Sequence, residues 1–332
     1  MEKYSRVDEA GFTRLIGKEK NPIEILTEEI GEKFKEYREL WEGASSFNIE
    51  TDFPVEIDFE IASKCNLKCN ICYHGWRKVK RNPFLDIKLY KKIIDESDGR
   101  LKSVLLNVLG EPLLNKQIIE FIEYAYDKGV VDIYFNSNAI LLNENIIQEL
   151  LNSHLTRIHF SIDAATKKTY EMVRGEDKFD QVVANIENFY NQREKMGKRL
   201  PIIRTSFVKC KFNLDEIELF FNKFAPMSDY FSIQEFLNPL FDTNEILSYR
   251  PDGDKRLFSD NCSQPWGRLV VLSDGTVGPC CVYGFNQNLK VGDANKESIF
   301  EIWNSEPMKK LRMIHKEHCY FKNVICKECL TQ

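Results

Sequence analysis

Between residues 55 and 235 the chain carries six short apolar runs, the first five each followed by amphipathic segments. The runs 55–62, 103–106, 131–135, 157–161, 202–208 and 230–235 have the length and the β-branched or aromatic content of strands. The stretches 85–94, 115–127, 143–151, 166–172, 179–196 and 214–224 place apolar residues at helical spacing. Strands that alternate with helices need crossover connections, which makes their sheet parallel and puts the helices outside it. Six units are too few to close an eight-stranded barrel. The pattern therefore predicts an α/β fold, a partial (β/α)6 TIM-like barrel with its site at the carboxyl ends of the strands.

Ahead of this region, Ile23, Leu26, Ile30, Phe34, Tyr37 and Trp41 recur at three- and four-residue steps and predict one amphipathic helix over 23–41, followed by a linker over 43–52. After Phe236 the pattern changes. Pro239, Pro251 and Gly253 mark a connection, and apolar runs at 269–272 and 276–277 flank Ser273-Asp274-Gly275, a hairpin signal. A further helix is expected over 298–303. The expected domains are thus a helical N-terminal extension (1–52), a barrel core (53–236) and a small C-terminal α+β domain (237–332). No internal repeat is present.

The first strand runs into Cys65-Asn66-Leu67-Lys68-Cys69-Asn70-Ile71-Cys72, a C-x3-C-x2-C loop. A tetrahedral zinc site or an ordinary [4Fe–4S] cluster takes four protein ligands. Three closely spaced thiols point instead to a cluster with one iron open to another ligand; a zinc loop completed by His74 is the competing reading. Polar residues then follow successive strands: Gly110-Glu111-Pro112 after the second, Asn136-Ser137-Asn138 after the third, Ser161-Ile162-Asp163 after the fourth. Glycine lets a backbone approach a ligand closely, and Glu111 can accept from an ammonium group. Each set alone is ordinary at a strand end. Together with the cysteine loop they predict one binding rim.

These residues resemble those of the radical S-adenosylmethionine (SAM) enzymes, over about residues 55–235. The resemblance implies that Cys65, Cys69 and Cys72 hold a [4Fe–4S] cluster whose free iron binds the amino and carboxylate groups of SAM. Reductive cleavage would then give methionine and a 5'-deoxyadenosyl radical. It also implies that Gly110, Glu111 and Pro112 contact the methionine amino group, with Leu109 standing where relatives carry a first glycine. Asn136, Ser137, Asn138, Ser161 and Asp163 inherit contacts to the ribose and carboxylate of SAM. Arg174, in Met172-Val173-Arg174-Gly175, resembles an arginine on the SAM carboxylate; a surface or helix-capping arginine is the alternative. Ile71 holds the position of an aromatic residue near adenine.

Cys262, Cys280, Cys326 and Cys329 form C-x17-C-x45-C-x2-C, accompanied by Gly278-Pro279-Cys280-Cys281, Val291-Gly292-Asp293 and Ile302-Trp303-Asn304-Ser305. This resembles the SPASM/twitch extension of radical SAM enzymes and implies one auxiliary [4Fe–4S] cluster on those four thiols. Cys281 is an alternative to Cys280. Cys281 and Cys319 together would allow a second auxiliary cluster, and a zinc ribbon would use the same four ligands. Cys210, just past the fifth strand, is a candidate hydrogen-atom donor or a buried structural thiol. Arg204 alternates with apolar residues on the fifth strand and is expected to face the barrel interior. SAM, an anionic substrate or an internal carboxylate could be its partner. The five histidines form no site and are expected to be structural.

Forty-six basic residues against 51 acidic ones, a net charge of −5, argue against nucleic acid as a partner. The local set Lys78, Lys80 and Arg81 reads as a solvated loop face. No apolar run has the length of a membrane span, and the N-terminus lacks the apolar core of a signal peptide. Ten unevenly spaced cysteines point to metal ligation in a reducing compartment, hence a cytoplasmic protein. The expected activity is hydrogen abstraction from a sugar, aminocyclitol or related small molecule, oxidised with the auxiliary cluster as electron acceptor. The alternatives are a peptide-modifying maturase, an epimerase using Cys210, and a zinc-binding scaffold that is no enzyme. The segment before Val55 is shorter and more helical than a peptide leader-binding domain. Expected partners are a small-molecule or peptide substrate and an electron donor such as flavodoxin or ferredoxin.

Overall fold

The computed structural model describes residues 4–7, 13–17, 21–73, 81–236, 248–251 and 261–330. In chain order the elements are β1 (Tyr4–Val7), β2 (Thr13–Gly17), α1 (Pro22–Ile30), α2 (Glu32–Ser45), β3 (Glu56–Phe59), α3 (Ile87–Glu96), β4 (Ser103–Leu105), α4 (Ile118–Asp127), β5 (Asp132–Ser137), α5 (Glu144–Asn152), β6 (Arg157–Ser161), α6 (Lys167–Arg174), α7 (Phe179–Lys195), β7 (Ile202–Val208), α8 (Ile217–Phe224) and β8 (Tyr230–Gln234). The C-terminal part adds α9 (Gln264–Gly267), β9 (Arg268–Val271), β10 (Thr276–Gly278), β11 (Gly292–Asp293), α10 (Ile299–Trp303), α11 (Glu306–Lys316) and α12 (Val324–Leu330). All six expected strands form, and helices follow the first five as expected.

The chain divides into two compact units, and it passes between them several times. The first holds β1, β2, the cysteine loop, β5 from Tyr134 and β6–β8. Here β6 lies parallel to both β5 and β7, and β7 parallel to β8. One face of this sheet carries Ile158, Phe160, Ile203, Phe207 and Phe231. Phe160 meets Phe189 of α7, and Phe207 meets Phe220 of α8, both edge-on. Each such ring contributes about 1.5–3 kcal/mol by leaving water. The opposite face is polar. Asn136, His159, Arg204 and Tyr230 stand side by side in register, and Ser161, Ser206 and Ser232 form the next row towards the strands' carboxyl ends. A strand's side chains alternate between faces, so this polar face is a direct product of the sequence alternation.

The N-terminal extension is not wholly helical. β1 and β2 form an antiparallel hairpin, and β2 pairs antiparallel with β8. The helix expected over 23–41 is two helices, because Gly31 has φ of 86° and ends the first before the second begins.

The second unit holds α2, β3, α3, β4, α4, the start of β5, and all the described residues from 261 onward. β3 is parallel to β4 on one side and to β9 on the other. The expected hairpin is β9–β10, turned at Gly275 with φ of 84°, and β11 pairs with β10. Glu56 and Asp58 of β3 are buried beside one guanidinium, Arg268, at 2.5 and 3.4 Å. One cation cannot neutralise two buried carboxylates. Burial, opposed by Arg268 and reinforced by Glu56, pushes Asp58 up to about 8. The basic set expected to be solvated is overturned at Arg81: its side chain is 3% exposed and grips Glu60 through two nitrogens, at 2.9 and 2.7 Å. Lys78 and Lys80 lie outside the described residues.

Candidate functional site

The cysteine loop follows β3 and is held at several points within the first unit. Asn138, just past β5, donates from Nδ2 to Asn66 Oδ1 at 2.7 Å and reaches Cys65 Sγ at 3.8 Å. Asn70 donates its backbone N–H to Val173 and its side-chain amide to Met172 O at 2.8 Å. A Cβ on Gly175, whose φ is 82°, would lie 2.9 Å from Lys68 O. These contacts seat the loop on the end of α6, with Cys69 buried and Cys65 and Cys72 partly exposed.

Arg174 is neither a surface nor a capping residue. It is 8% exposed and pairs with Asp163 at 2.7 Å, donates to Ile162 O, and reaches Cys69 Sγ at 3.6 Å. Burial works to lower its pKa, but Asp163 and Cys69 together outweigh this and raise it. It therefore sets a fixed positive charge beside a sulfur that must be thiolate to bind iron. Asp163 is engaged on both sides, since its Oδ1 also accepts the Val208 N–H at 2.8 Å. Ser137 Oγ accepts the Ala139 N–H, and Ser161 stands partly buried in the polar face.

Gly110 and Glu111 lie in the second unit. A Cβ on Gly110 would fall 2.1 Å from Ala62 O and 2.5 Å from Lys64 O, so this position admits only glycine. The Glu111 N–H donates to Lys64 O at 2.8 Å, and Glu111 Oε1 accepts the Leu113 N–H, starting the short turn at Pro112. The Gly-Glu-Pro segment is thereby fastened to the residue immediately before Cys65.

The polar sheet face carries Arg204, with Nη2 donating to Asn136 Oδ1 at 3.2 Å. Among the described residues Arg204 has no ion pair with a carboxylate, its Nε is buried without a partner, and burial lowers its pKa. The hydroxyls of Ser206 and Ser232 are likewise buried and unpartnered. His159 bridges Asn136 Oδ1 and Tyr230 Oη, at 3.0 and 3.1 Å. Burial, then Arg204 and Arg157, push its pKa well below the ordinary value, so it is a neutral, satisfied histidine. Cys210 is fully buried with Val173 and Phe236, and Ile71 and Tyr73 of the cysteine loop pack on this group. Burial pushes its thiol up to about 11.

In the second unit, Cys262, Cys280, Cys326 and Cys329 line one cavity. Cys281 is exposed and does not line it, nor does Cys319. The remaining lining is proline, leucine, isoleucine and valine, with His315 as one exception. Burial raises the thiols of Cys262 to about 11 and Cys326 to about 12; at Cys280 the neighbouring sulfurs add to the effect. Four such thiols in an apolar wall become thiolates only around a cationic core, which is the donor set of a cluster. Among the described residues no group of three or more His, Cys, Asp or Glu is drawn together as a bare metal ion requires. The four C-terminal thiols ring a void instead.

Residues 59–204 match the radical SAM superfamily, and residues 262–330 match SPASM, an iron-sulfur cluster-binding domain. The chain carries a radical SAM domain and a SPASM domain. Its two domains imply [4Fe–4S] clusters and SAM as cofactors, and the loop and cavity supply matching donors. Among solved structures, the protein resembles BtrN in complex with AdoMet and 2-DOIA (20% identity, 85% of this chain and 94% of that one, TM-score 0.60). It also resembles Streptococcus suis SuiB bound to precursor peptide SuiA (17% identity, 83% and 70%, TM-score 0.61). These likenesses carry the fold, a partial barrel with a C-terminal cluster-binding domain. A curated relative, the tungsten-containing aldehyde ferredoxin oxidoreductase cofactor-modifying protein of Pyrococcus furiosus, is 22% identical over 79% of this chain and 84% of its own length. The chain spans about half the length of several other curated relatives that it matches. Among the described residues no helix is long and apolar enough to cross a membrane.

Sequence reasoning singled out the thiols and Gly110 but missed two features. It assigned Arg174 and Asp163 to SAM without seeing that they pair with each other. It set His315 aside as structural, although His315 shares the cavity of the four thiols.

Proposed function

We propose that this protein oxidises a small hydroxylated molecule, such as a sugar or an aminocyclitol, by two electrons. The observation that carries the reading is the four-thiol cavity, which gives the chain an electron acceptor of its own in addition to the SAM-binding loop. When bound, the clusters and SAM would supply the reducing electron, the 5'-deoxyadenosyl radical and the acceptor. Cys65, Cys69 and Cys72 hold the first cluster, with Asn138 and Arg174 fixing the loop. The backbone at Gly110 and the Glu111 carboxylate would receive the methionine end of SAM, and Asn136, Ser137 and Ser161 would contact its ribose and carboxylate. Arg204, Ser206 and Ser232 offer donors to a polar substrate. The substrate loses a hydrogen atom, a proton and an electron in all, which turns an alcohol into a carbonyl. Cys262, Cys280, Cys326 and Cys329 hold one auxiliary cluster. A low-potential one-electron carrier, flavodoxin or ferredoxin, is the natural reductant.

Cys210 favours a second reading, an epimerase. Its thiol is held protonated and packs against the cysteine loop, as a hydrogen-atom donor would need. The two readings separate cleanly. Replacing Cys210 with alanine abolishes product formation in an epimerase and spares a dehydrogenase.

The test is anaerobic reconstitution with iron and sulfide, followed by SAM cleavage with dithionite, on the native chain and on Cys65/Cys69/Cys72→Ala. About eight irons per native chain and about four in the variant are expected, at four per cluster. Only the native chain should form 5'-deoxyadenosine. Carbon-deuterated sugars and aminocyclitols should then pass deuterium into 5'-deoxyadenosine. Zinc in the purified protein with no SAM cleavage would sink the enzyme reading.

A further inference from the structure

His315 sits on α11 and lines the cavity of Cys262, Cys280, Cys326 and Cys329. It is 1% exposed, and its Nδ1 is buried with no hydrogen-bond partner in the protein. Apart from the thiols it is the one polar side chain among the lining residues. A buried imidazole nitrogen without a partner is costly, and such a group in a native fold calls for a specific explanation. Nothing in the lining other than sulfur has a side chain that could accept from it. Hydrogen bonds to cluster sulfurs are among the factors that set a cluster's potential, because they stabilise the more negative, reduced form.

We propose that His315 donates a hydrogen bond from Nδ1 to sulfur of the auxiliary cluster and so raises its reduction potential. The inference rests on the four thiols holding a cluster, and not on which substrate is oxidised. Its consequence is an acceptor tuned to take an electron from a substrate radical more readily than four thiolates in an apolar wall would allow. The four thiols already complete a ligand set, so the imidazole is placed as a donor to sulfur and not as a ligand to iron.

The test uses the full chain carrying Cys65/Cys69/Cys72→Ala, so that only the auxiliary centre reconstitutes. His315→Phe removes the donor while filling the space, and His315→Gln keeps an N–H donor. Iron per chain and the midpoint potential, followed by electron paramagnetic resonance, are measured for each. The expected result is unchanged iron in both variants. The phenylalanine variant should show a reduction equilibrium about tenfold less favourable, a fall of about 59 mV for a one-electron couple. The glutamine variant should lie between it and the parent. An unchanged potential in His315→Phe overturns the proposal. So does loss of iron from both variants, which would make His315 a ligand or a support. A parent chain that takes up no iron at these thiols removes the cluster and the proposal together. A shifted potential in a protein that oxidises no sugar would leave this inference standing and sink only the dehydrogenase reading.

Discussion

At the residue scale, chemistry was legible where identity and short spacing carry it. Three thiols within eight residues constrain their own geometry, and Gly110 announces a close approach by having no side chain. Gly110→Ala would press a methyl group into two carbonyl oxygens just ahead of Cys65. Displacements of about 1 Å near a reacting centre cost on the order of a hundredfold in rate. A loss of that size in 5'-deoxyadenosine formation, with the fold retained by circular dichroism, is the expected outcome. Cys280 and Cys281 could not be told apart by spacing, because neighbours share it. The cavity separates them: Cys280→Ser should lose the auxiliary iron, and Cys281→Ser should keep it, as iron analysis would show. Arg174 and Asp163 were legible as polar residues near a strand end but not as a pair, since their contact depends on how α6 folds back over β6. Arg174→Met leaves Asp163 buried without its cation, a change that costs about 3–5 kcal/mol. Urea unfolding should register that loss, and cluster loading should fall with it.

At the element scale, the six strands were readable because local hydrophobic alternation records a strand, whatever its neighbour. The partner of a strand is not recorded locally. The hairpin at Asp274-Gly275 was visible in the sequence, whereas its parallel pairing with β3 was not. The same holds for β2 on β8, and for α1 and α2, where a single glycine outweighed an unbroken apolar stripe. The β3–β9 pairing buries Glu56 and Asp58 against Arg268, which gives a dependence on pH. Asp58 titrates near 8 in the folded chain and near its ordinary 3.8 when unfolded. Between those values the folded chain binds the extra proton, so this contribution to stability is complete below about 3.8 and is lost as pH rises through about 8. Thermal unfolding between pH about 5 and about 9 should show a falling midpoint, and Asp58→Asn should flatten that part of the slope.

At the scale of the whole molecule, the boundaries expected from composition do not coincide with the compact units. Each unit is assembled from three stretches of the chain, and the second joins β3 and β4 to everything from β9 onward. Sequence divides a chain by order; packing divides it by contact, and parallel strands separate the two most strongly because their partners lie far apart. A chain ending at Phe236 would lack β9 and leave β3 as an unpaired edge just ahead of the cysteine loop. Exposed edges of this kind template aggregation. Expression of that shortened chain should give insoluble protein, and a soluble, SAM-cleaving product would refute the argument. The β3–β9 ladder also bears on descent. The cluster-binding tail is not a cartridge that a lineage could trade for another by recombination at the linker. Whatever replaced it would have to bring a strand in the same register and an arginine for Glu56 and Asp58, so the two halves are bound to be inherited together.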